Sequence, residues 1–313
     1  MGIAILMATY NGEKYIKEQI NSIINQSFEN WTLYIRDDGS KDSTPDIIKE
    51  YSEKYPEKII LIPKNKGKNG SKYNFFELCK AIKNTEHKYF MFCDQDDVWN
   101  SDKIEKTFDC MKKAEKESSD MPLLVHTDLQ VVDKNLNIIN NSFVKYSSLK
   151  PKFKTVEKLL IQNNVTGCTM MINKALLEKA LMAENTDKMV MHDWWFALVA
   201  SVYGKIVFLD VPTIRYRQHE KNVVGASLEV NTFKFVTDRL SKRDYIKNTF
   251  KKSREQSKLF LDTYKDFDVK KQSVMYKFSE MEKYNKIKRI YTVIRYGFFK
   301  QGFVQVVGEL LFI

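Results

Sequence analysis

The sequence predicts an α/β fold: a mixed, mainly parallel sheet flanked by helices, followed by a helical C-terminal extension. Three observations carry this. Apolar runs alternate with stretches of helical periodicity from Ile3 to Asn100. Clusters of Asp, Asn, Gly and Ser close three of those runs. No strand signal appears after Asn231, where the chain turns to Lys, Tyr and Phe at helical spacing. Strands alternating with helices at this interval form βαβ units and a parallel sheet.

Ile3–Ala8 is the first strand, ending at Thr9-Tyr10-Asn11-Gly12, and Ile16, Ile20, Ile23 and Ile24 space out a helix behind it. Trp31–Arg36 is the second strand, closed by Asp37-Asp38-Gly39-Ser40. A helix near Thr44–Tyr55 follows, with Pro45 in its first turn beside a Thr cap. Ile59–Ile62 is a third strand, and a Gly- and Lys-rich loop at Asn65–Gly70 leads to a helix opened by Ser71. Tyr89–Cys93 is a fourth strand and runs into Asp94-Gln95-Asp96-Asp97. Beyond Asn100 the pattern is mixed. Leu123–His126, Leu129–Val132 and Thr166–Ile172 are strands, His192–Tyr203 is a helix, and Lys205–Leu209 and Thr213–Tyr216 are short strands around Pro212. Ligands of parallel sheets bind outside the carboxyl ends of the strands. The clusters at Thr9–Asn11, Asp37–Ser40 and Asp94–Asp97 should therefore converge.

The chain has 313 residues with a net charge of +11 and 43% hydrophobic content, which excludes a disordered chain. Its four cysteines follow no C-x-x-C or metal-ligand spacing, which argues against a disulfide framework or a zinc site and for a reducing compartment. No signal peptide and no run of ~20 apolar residues is evident. The charge divides unevenly. Residues 228–313 hold 19 basic and 10 acidic side chains, a net of +9, which leaves +2 for residues 1–227. We expect a catalytic domain over 1–227 and a basic helical region over 228–313.

Three acids within four residues after a strand can hold a hard divalent cation, Mg²⁺ or Mn²⁺, against substrate phosphates. Asp96 or Asp97 could equally cap a helix starting near Ser101. Sequence leaves both open. Asp38 could accept hydrogen bonds from a base or ribose, or simply belong to a turn. No G-x-x-x-x-G-K-[ST] loop occurs, which excludes a P-loop kinase, and no G-x-G-x-x-G follows the first strand. A nucleotide held through a metal remains.

Ala8-Thr9-Tyr10-Asn11-Gly12, Arg36-Asp37-Asp38-Gly39-Ser40-Lys41-Asp42-Ser43-Thr44 and Asp94-Gln95-Asp96-Asp97-Val98-Trp99, in that order, resemble family 2 glycosyltransferases of the GT-A fold. The Asp-Gln-Asp-Asp-x-Trp form further resembles bacterial rhamnosyltransferases of cell-wall, capsule or O-antigen assembly. The likeness covers Gly2 to Gly225. It implies that Thr9, Tyr10 and Asn11 line a nucleotide pocket, Asp38 meets the base and Asp96 the ribose. Asp97 would hold the metal, supported by Asp94, and His219 would lie near metal or diphosphate. Met191-His192-Asp193-Trp194-Trp195 matches the position of the catalytic base, with His192 where many members have Glu, so Asp193 is the expected base. Helix N-capping is the plainer role for Asp193. Trp194 and Trp195 could stack on a sugar or belong to the core. Gly167 could admit an acceptor or phosphate to the backbone, or mark a plain turn. Arg217 could clamp phosphate bidentately.

The implied reaction is inverting, metal-dependent transfer of a sugar from dTDP-rhamnose or a UDP-sugar. The acceptor would be a hydroxyl of a glycan linked to a polyprenyl diphosphate, in surface polysaccharide synthesis. A non-catalytic nucleotide-sugar or glycan-binding module is the alternative. A nucleotidyltransferase should carry a Gly- and Arg-rich loop after the first strand, and Thr9–Gly12 offers none. The absence of Gln-x-x-Arg-Trp favours transfer of one or few sugars over processive synthesis. In the tail, Ile287, Ile290, Tyr291, Ile294, Phe298, Val304 and Leu311 recur at helical spacing among basic residues. Such a helix suits an anionic membrane surface, on the cytoplasmic face of a bacterial plasma membrane, or could pack on the catalytic domain or on a second subunit of a homo-oligomer with its lysines solvated. No nucleic-acid motif accompanies the charge.

Overall fold

The computed structural model describes residues 2–64, 67–118, 120–219 and 243–301. The first strand, β1, spans Ile3–Thr9, and α1 (Ile16–Ile24) packs Ile16, Ile20 and Ile23 inward. β2 (Trp31–Asp37), α2 (Thr44–Lys54), β3 (Ile59–Leu61), α3 (Ser71–Ile82) and β4 (Tyr89–Cys93) complete the alternation read from sequence. β1 pairs in parallel with both β2 and β4, so their carboxyl ends lie at one edge.

The second half is where sequence and structure part. β5 (Val98–Trp99) and β7 (Ile138–Asn140), on either side of α4 (Lys103–Glu117) and β6 (Leu123–Val132), carry no run long enough to read as strands. β6 is one continuous strand because His126, Thr127 and Asp128, polar by type, are all buried in it. After the short helices α5 (Phe143–Tyr146) and α6 (Val156–Leu159), a single helical turn at Gly167–Thr169 leads into β8 (Met170–Asn173). Then α7 (Lys174–Ala180) and α8 (His192–Tyr203) precede β9 (Lys205–Arg217). β9 runs through Pro212, and the ladder to β6 absorbs the proline with a register shift at Asp128. The nine-stranded sheet has the order β3-β2-β1-β4-β8-β6-β9-β5, with β7 on β6. β8 is antiparallel to both neighbours.

The Thr44 cap is not observed. The Thr44 hydroxyl instead accepts the Gly12 N–H at 2.8 Å and donates to Asp42, tying α2 to the loop after β1. Nor do Asp96 and Asp97 cap a helix, since α4 starts at Lys103.

One face of the sheet is covered by α1, α2 and α4. The other is covered by α3, α7, α8 and the tail helices α9 (Arg243–Thr263), α10 (Val269–Ser279) and α11 (Lys286–Tyr296). Phe250, Phe260, Tyr264, Met275, Phe278, Val293 and Phe298 share a single apolar cluster with Trp195, Phe196 and Leu198 of α8. The basic tail is thus structurally continuous with the sheet-bearing part. Residues 228–242 and 302–313 of that tail, with Val304 and Leu311, lie outside the described residues. No described helix is long and apolar enough to cross a membrane.

Candidate active site

The carboxyl ends of β1, β2 and β4 open into a cleft of about 1280 Å³, walled on the far side by the start of α8 and the end of β9. Thr9, Tyr10, Asn11, Asp38, Asp94, Asp96, Gly167, Asp193 and His219, all singled out in the sequence, line it.

The β1–β2 end of the cleft is built from loops that hold each other. Asn11 takes a left-handed backbone with φ of 48°, a conformation Asn tolerates. Its backbone N–H donates to the Ser40 hydroxyl and its side-chain Oδ1 accepts the Lys41 N–H, both at 2.8 Å. Asp38 is 4% exposed, accepts the Gly70 N–H at 2.6 Å, and sits 3.4 Å from the Lys64 ammonium. The oxygen facing Lys64, Oδ1, also lies 3.8 Å from the Arg36 guanidinium, so it is held by two cations but makes no hydrogen bond among the described residues.

The acidic loop after β4 sorts its carboxylates in space. Asp96 faces the cleft and meets the His219 Nε2 at 2.9 Å. Asp94 lines the cleft beside it, and burial first, then the charges of Asp96 and Asp193, push its pKa up to about 7. Asp97, expected to hold the metal, lies behind the cleft wall, with one oxygen bonded to backbone and the other without a hydrogen-bond partner among the described residues. It is 1% exposed, does not line the cleft, and accepts the Arg217 backbone N–H at 3.0 Å. Burial, then Asp96 and Asp94, drive its pKa well up. Asp94, Asp97 and Cys168 bring ligand atoms within 4.8 Å of one another. Burial holds the Cys168 thiol far above its ordinary pKa, so it is a poor thiolate ligand.

Arg217, expected on phosphate, also lies behind the cleft wall. Its guanidinium is 2% exposed and donates to the Asp96 carbonyl at 2.9 Å, to the Lys134 carbonyl at 2.6 Å and to Glu18 at 2.7 Å. It also lies 4.4 Å from the centre of the Tyr15 ring, which stacks on His219 at 5.2 Å. Arg217 thus supports Asp96 from its backbone and His219 from beneath. Trp194 and Trp195 are core residues: their indole N–H groups donate to the Leu159 and Ala180 carbonyls, and neither ring lines the cleft.

Asp193 opens α8, accepting its neighbour's Trp194 N–H at 2.6 Å and the Gly167 N–H at 3.1 Å. Burial pushes its pKa up to about 7 against those two bonds. A half-buried carboxylate poised near neutrality is suited to take a proton.

Gln95 went unread as a functional residue. Its side-chain amide accepts the Tyr10 N–H at 2.8 Å and donates to the Tyr10 carbonyl at 2.9 Å, locking the β1 loop to the acidic loop. Tyr15, Lys134 and Asn74, which lines the cleft and exchanges hydrogen bonds with Arg36 at 2.9 Å, were also missed. Their roles depend on contacts distant in sequence, and only the Gln between two acids was a signal.

The class this fold and cleft define is a GT-A glycosyltransferase. The glycosyl transferase family 2 model matches residues 4–181, and the chain belongs to that family. It is 33% identical over 228 residues to the dTDP-rhamnosyl transferase RfbG of Shigella flexneri, covering 71% of this chain and 74% of that protein. It is 28% identical over 176 residues to the UDP-Glc:alpha-D-GlcNAc-diphosphoundecaprenol beta-1,3-glucosyltransferase WfgD of Escherichia coli, covering 56% and 61% respectively. Residues 1–349 of S. aureus TarS, solved with UDP-GlcNAc, superpose with a TM-score of 0.58 at 17% identity, covering 95% of this chain and 80% of that one. The mannosyltransferase PcManGT of Pyrobaculum calidifontis, solved with GDP-Man and Mn²⁺, gives 0.52 at 12% identity, covering 94% and 72%. The chain is a family 2 glycosyltransferase.

Proposed function

We propose that the chain transfers a sugar from a nucleotide donor to a glycan hydroxyl with inversion at the anomeric carbon, Asp193 acting as base. The observation that carries this is the meeting of Asp96, His219 and Asp193 in one cleft at the carboxyl ends of β1, β2 and β4. Thr9, Tyr10, Asn11 and Asp38 receive the nucleoside. Asp193 takes the proton of the acceptor hydroxyl as that oxygen attacks the anomeric carbon from the face opposite the leaving group. The Gly167 and Trp194 N–H groups keep the carboxylate aimed.

Mg²⁺ or Mn²⁺ fits the donor set. Carboxylate oxygens suit such ions, and burial, then the charge of Asp96, raises both Asp94 and Asp97, a crowding of negative charge that a cation would offset. Asp96 and His219 would hold it, with Asp94 in support, while Asp97 anchors the Arg217 backbone. When bound, it would neutralise the diphosphate leaving group. The names of RfbG and WfgD favour dTDP-rhamnose or a UDP-sugar as donor and a polyprenyl-diphosphate-linked acceptor. A lipid-linked acceptor calls for a membrane-surface enzyme, and α11 leaves Ile287, Tyr291 and Ile294 exposed for that purpose.

The test is a thermal-shift and donor-hydrolysis screen across UDP-, dTDP- and GDP-sugars with and without Mn²⁺ or Mg²⁺. One donor class should raise the melting temperature only with the cation present. If none does, the reading fails.

A further inference from the structure

We propose that His192 reads a hydroxyl of the sugar handled beside Asp193, through a hydrogen bond from its imidazole edge. This rests on reading the cleft as a nucleotide-sugar site. His192 is 5% exposed, yet its ring forms part of the cleft wall. Neither ring nitrogen has a hydrogen-bond partner among the described residues. An imidazole always presents at least one N–H, and when neutral one acceptor as well. Leaving both unpaired in the interior is costly, and buried polar groups are nearly always paired. The flanking side chains supply no partner: the ring lies 4.1 Å from the centre of Phe75 and 5.4 Å from that of Phe92.

Gly167 shows that the ring's place is built. A Cβ there would stand 2.7 Å from the His192 Nε2, so any larger residue displaces the imidazole. The same glycine donates its N–H to Asp193. Ring edge, glycine and carboxylate therefore form one unit at the cleft wall.

The chemistry of the missing partner follows. Burial keeps the ring neutral, so a phosphate gains no ion pair from it. A neutral imidazole offers one donor and one acceptor, and a sugar hydroxyl is both. Were His192 only a core residue between two phenylalanines, phenylalanine would serve better there.

His192→Phe keeps the stacking and removes the polar edge, and His192→Gln keeps an amide donor and acceptor. Calorimetry with Mn²⁺ would compare the nucleoside diphosphate with its sugar conjugate. The donor would be whichever of UDP-glucose, dTDP-rhamnose and GDP-mannose the unaltered chain binds tightest. His192→Phe should fold with an unchanged or higher melting temperature. It should bind the diphosphate normally and the conjugate roughly three- to tenfold more weakly, with His192→Gln recovering part of the loss. Loss confined to the KM for acceptor would place the contact on the acceptor sugar. Equal weakening of diphosphate and conjugate, or no change in donor binding and acceptor KM, overturns the proposal. Failure of the unaltered chain to bind any diphosphate would instead sink the donor assignment beneath it.

Discussion

Asp193 is held where the protonated acid is favoured. Its pKa rises to about 7 by burial, against ~3.9 for an unfolded Asp. The folded state binds this proton more tightly than the unfolded chain, so stability from this group is lost as the pH climbs from ~4 to about 7. Activity needs the ionised form and moves the opposite way. We expect the initial transfer rate to rise as the pH approaches about 7 and to level off above it. Asp193→Asn should lower kcat by ~10²–10⁴-fold yet raise the melting temperature above pH 7 by roughly 2–6 °C. Retained turnover in that variant would remove Asp193 as the base. Arg217 makes a separable prediction. Its planar fork meets two carbonyls and Glu18 at once, which an ammonium does not reproduce. Arg217→Lys should weaken Mn²⁺ binding by ~10-fold or more, measured by calorimetry without substrate. Unchanged affinity would mean that the Tyr15–His219 stack stands without it.

At the scale of elements, the first half was legible because its strands are short, apolar and cleanly punctuated. Ile3–Thr9 and Tyr89–Cys93 are buried almost throughout, as central parallel strands are. The second half was not, because its strands contain residues whose types argue against burial. Thr127 and Asp128 divide β6 on paper, and Pro212 divides β9. In the sheet, Thr127 pairs with Thr213 at 2.6 Å and Asp128 accepts the Leu129 N–H, so the polarity is satisfied internally. The site was legible as motifs but not as directions. Asp96 and Asp97 are adjacent and alike in sequence, and only the loop's path decides which one faces the cleft. Trp194 and Trp195 likewise resolve to core through partners on other elements. The turn from α8 into β9 depends on Gly204. A Cβ at that position would lie 1.7 Å from the Pro122 carbonyl oxygen, which accepts the Lys205 N–H. Gly204→Ala should therefore force β9 away from β6, at a cost of several times the ~1 kcal/mol typical of a substitution. A chemical-denaturation midpoint within error of the parent would contradict this.

On the whole molecule, the uneven charge no longer separates two bodies. The tail's Phe260, Phe278 and Phe298 are fully or nearly fully buried in the cluster that holds Trp195 and Phe196. Truncation before Arg243 should thus expose that core and yield an insoluble chain rather than a free catalytic domain. Any role of the tail in placing the enzyme must be tested by point substitution. The candidate face is on α11, where Ile287, Tyr291 and Ile294 are 82%, 64% and 59% exposed. Their spacing puts them on one stripe, while Thr292 and Val293 turn inward. Lys286, Lys288 and Arg295 are exposed on the same helix, along the stripe's margins. A second copy docking on this stripe by two-fold symmetry would set the basic margin against itself. An anionic bilayer accepts both the apolar stripe and the charge. Sedimentation with vesicles of about 70% phosphatidylcholine and 30% phosphatidylglycerol should carry the protein down at ~0.1 M salt and release most of it at ~0.5 M, where charges are screened. Ile287→Asp with Ile294→Asp should cut binding by ~10-fold or more, without lowering the melting temperature or turnover of a soluble acceptor. Equal binding to pure phosphatidylcholine would exclude the basic margin. A melting temperature lowered by the double substitution would show the stripe covered by the protein's own chain.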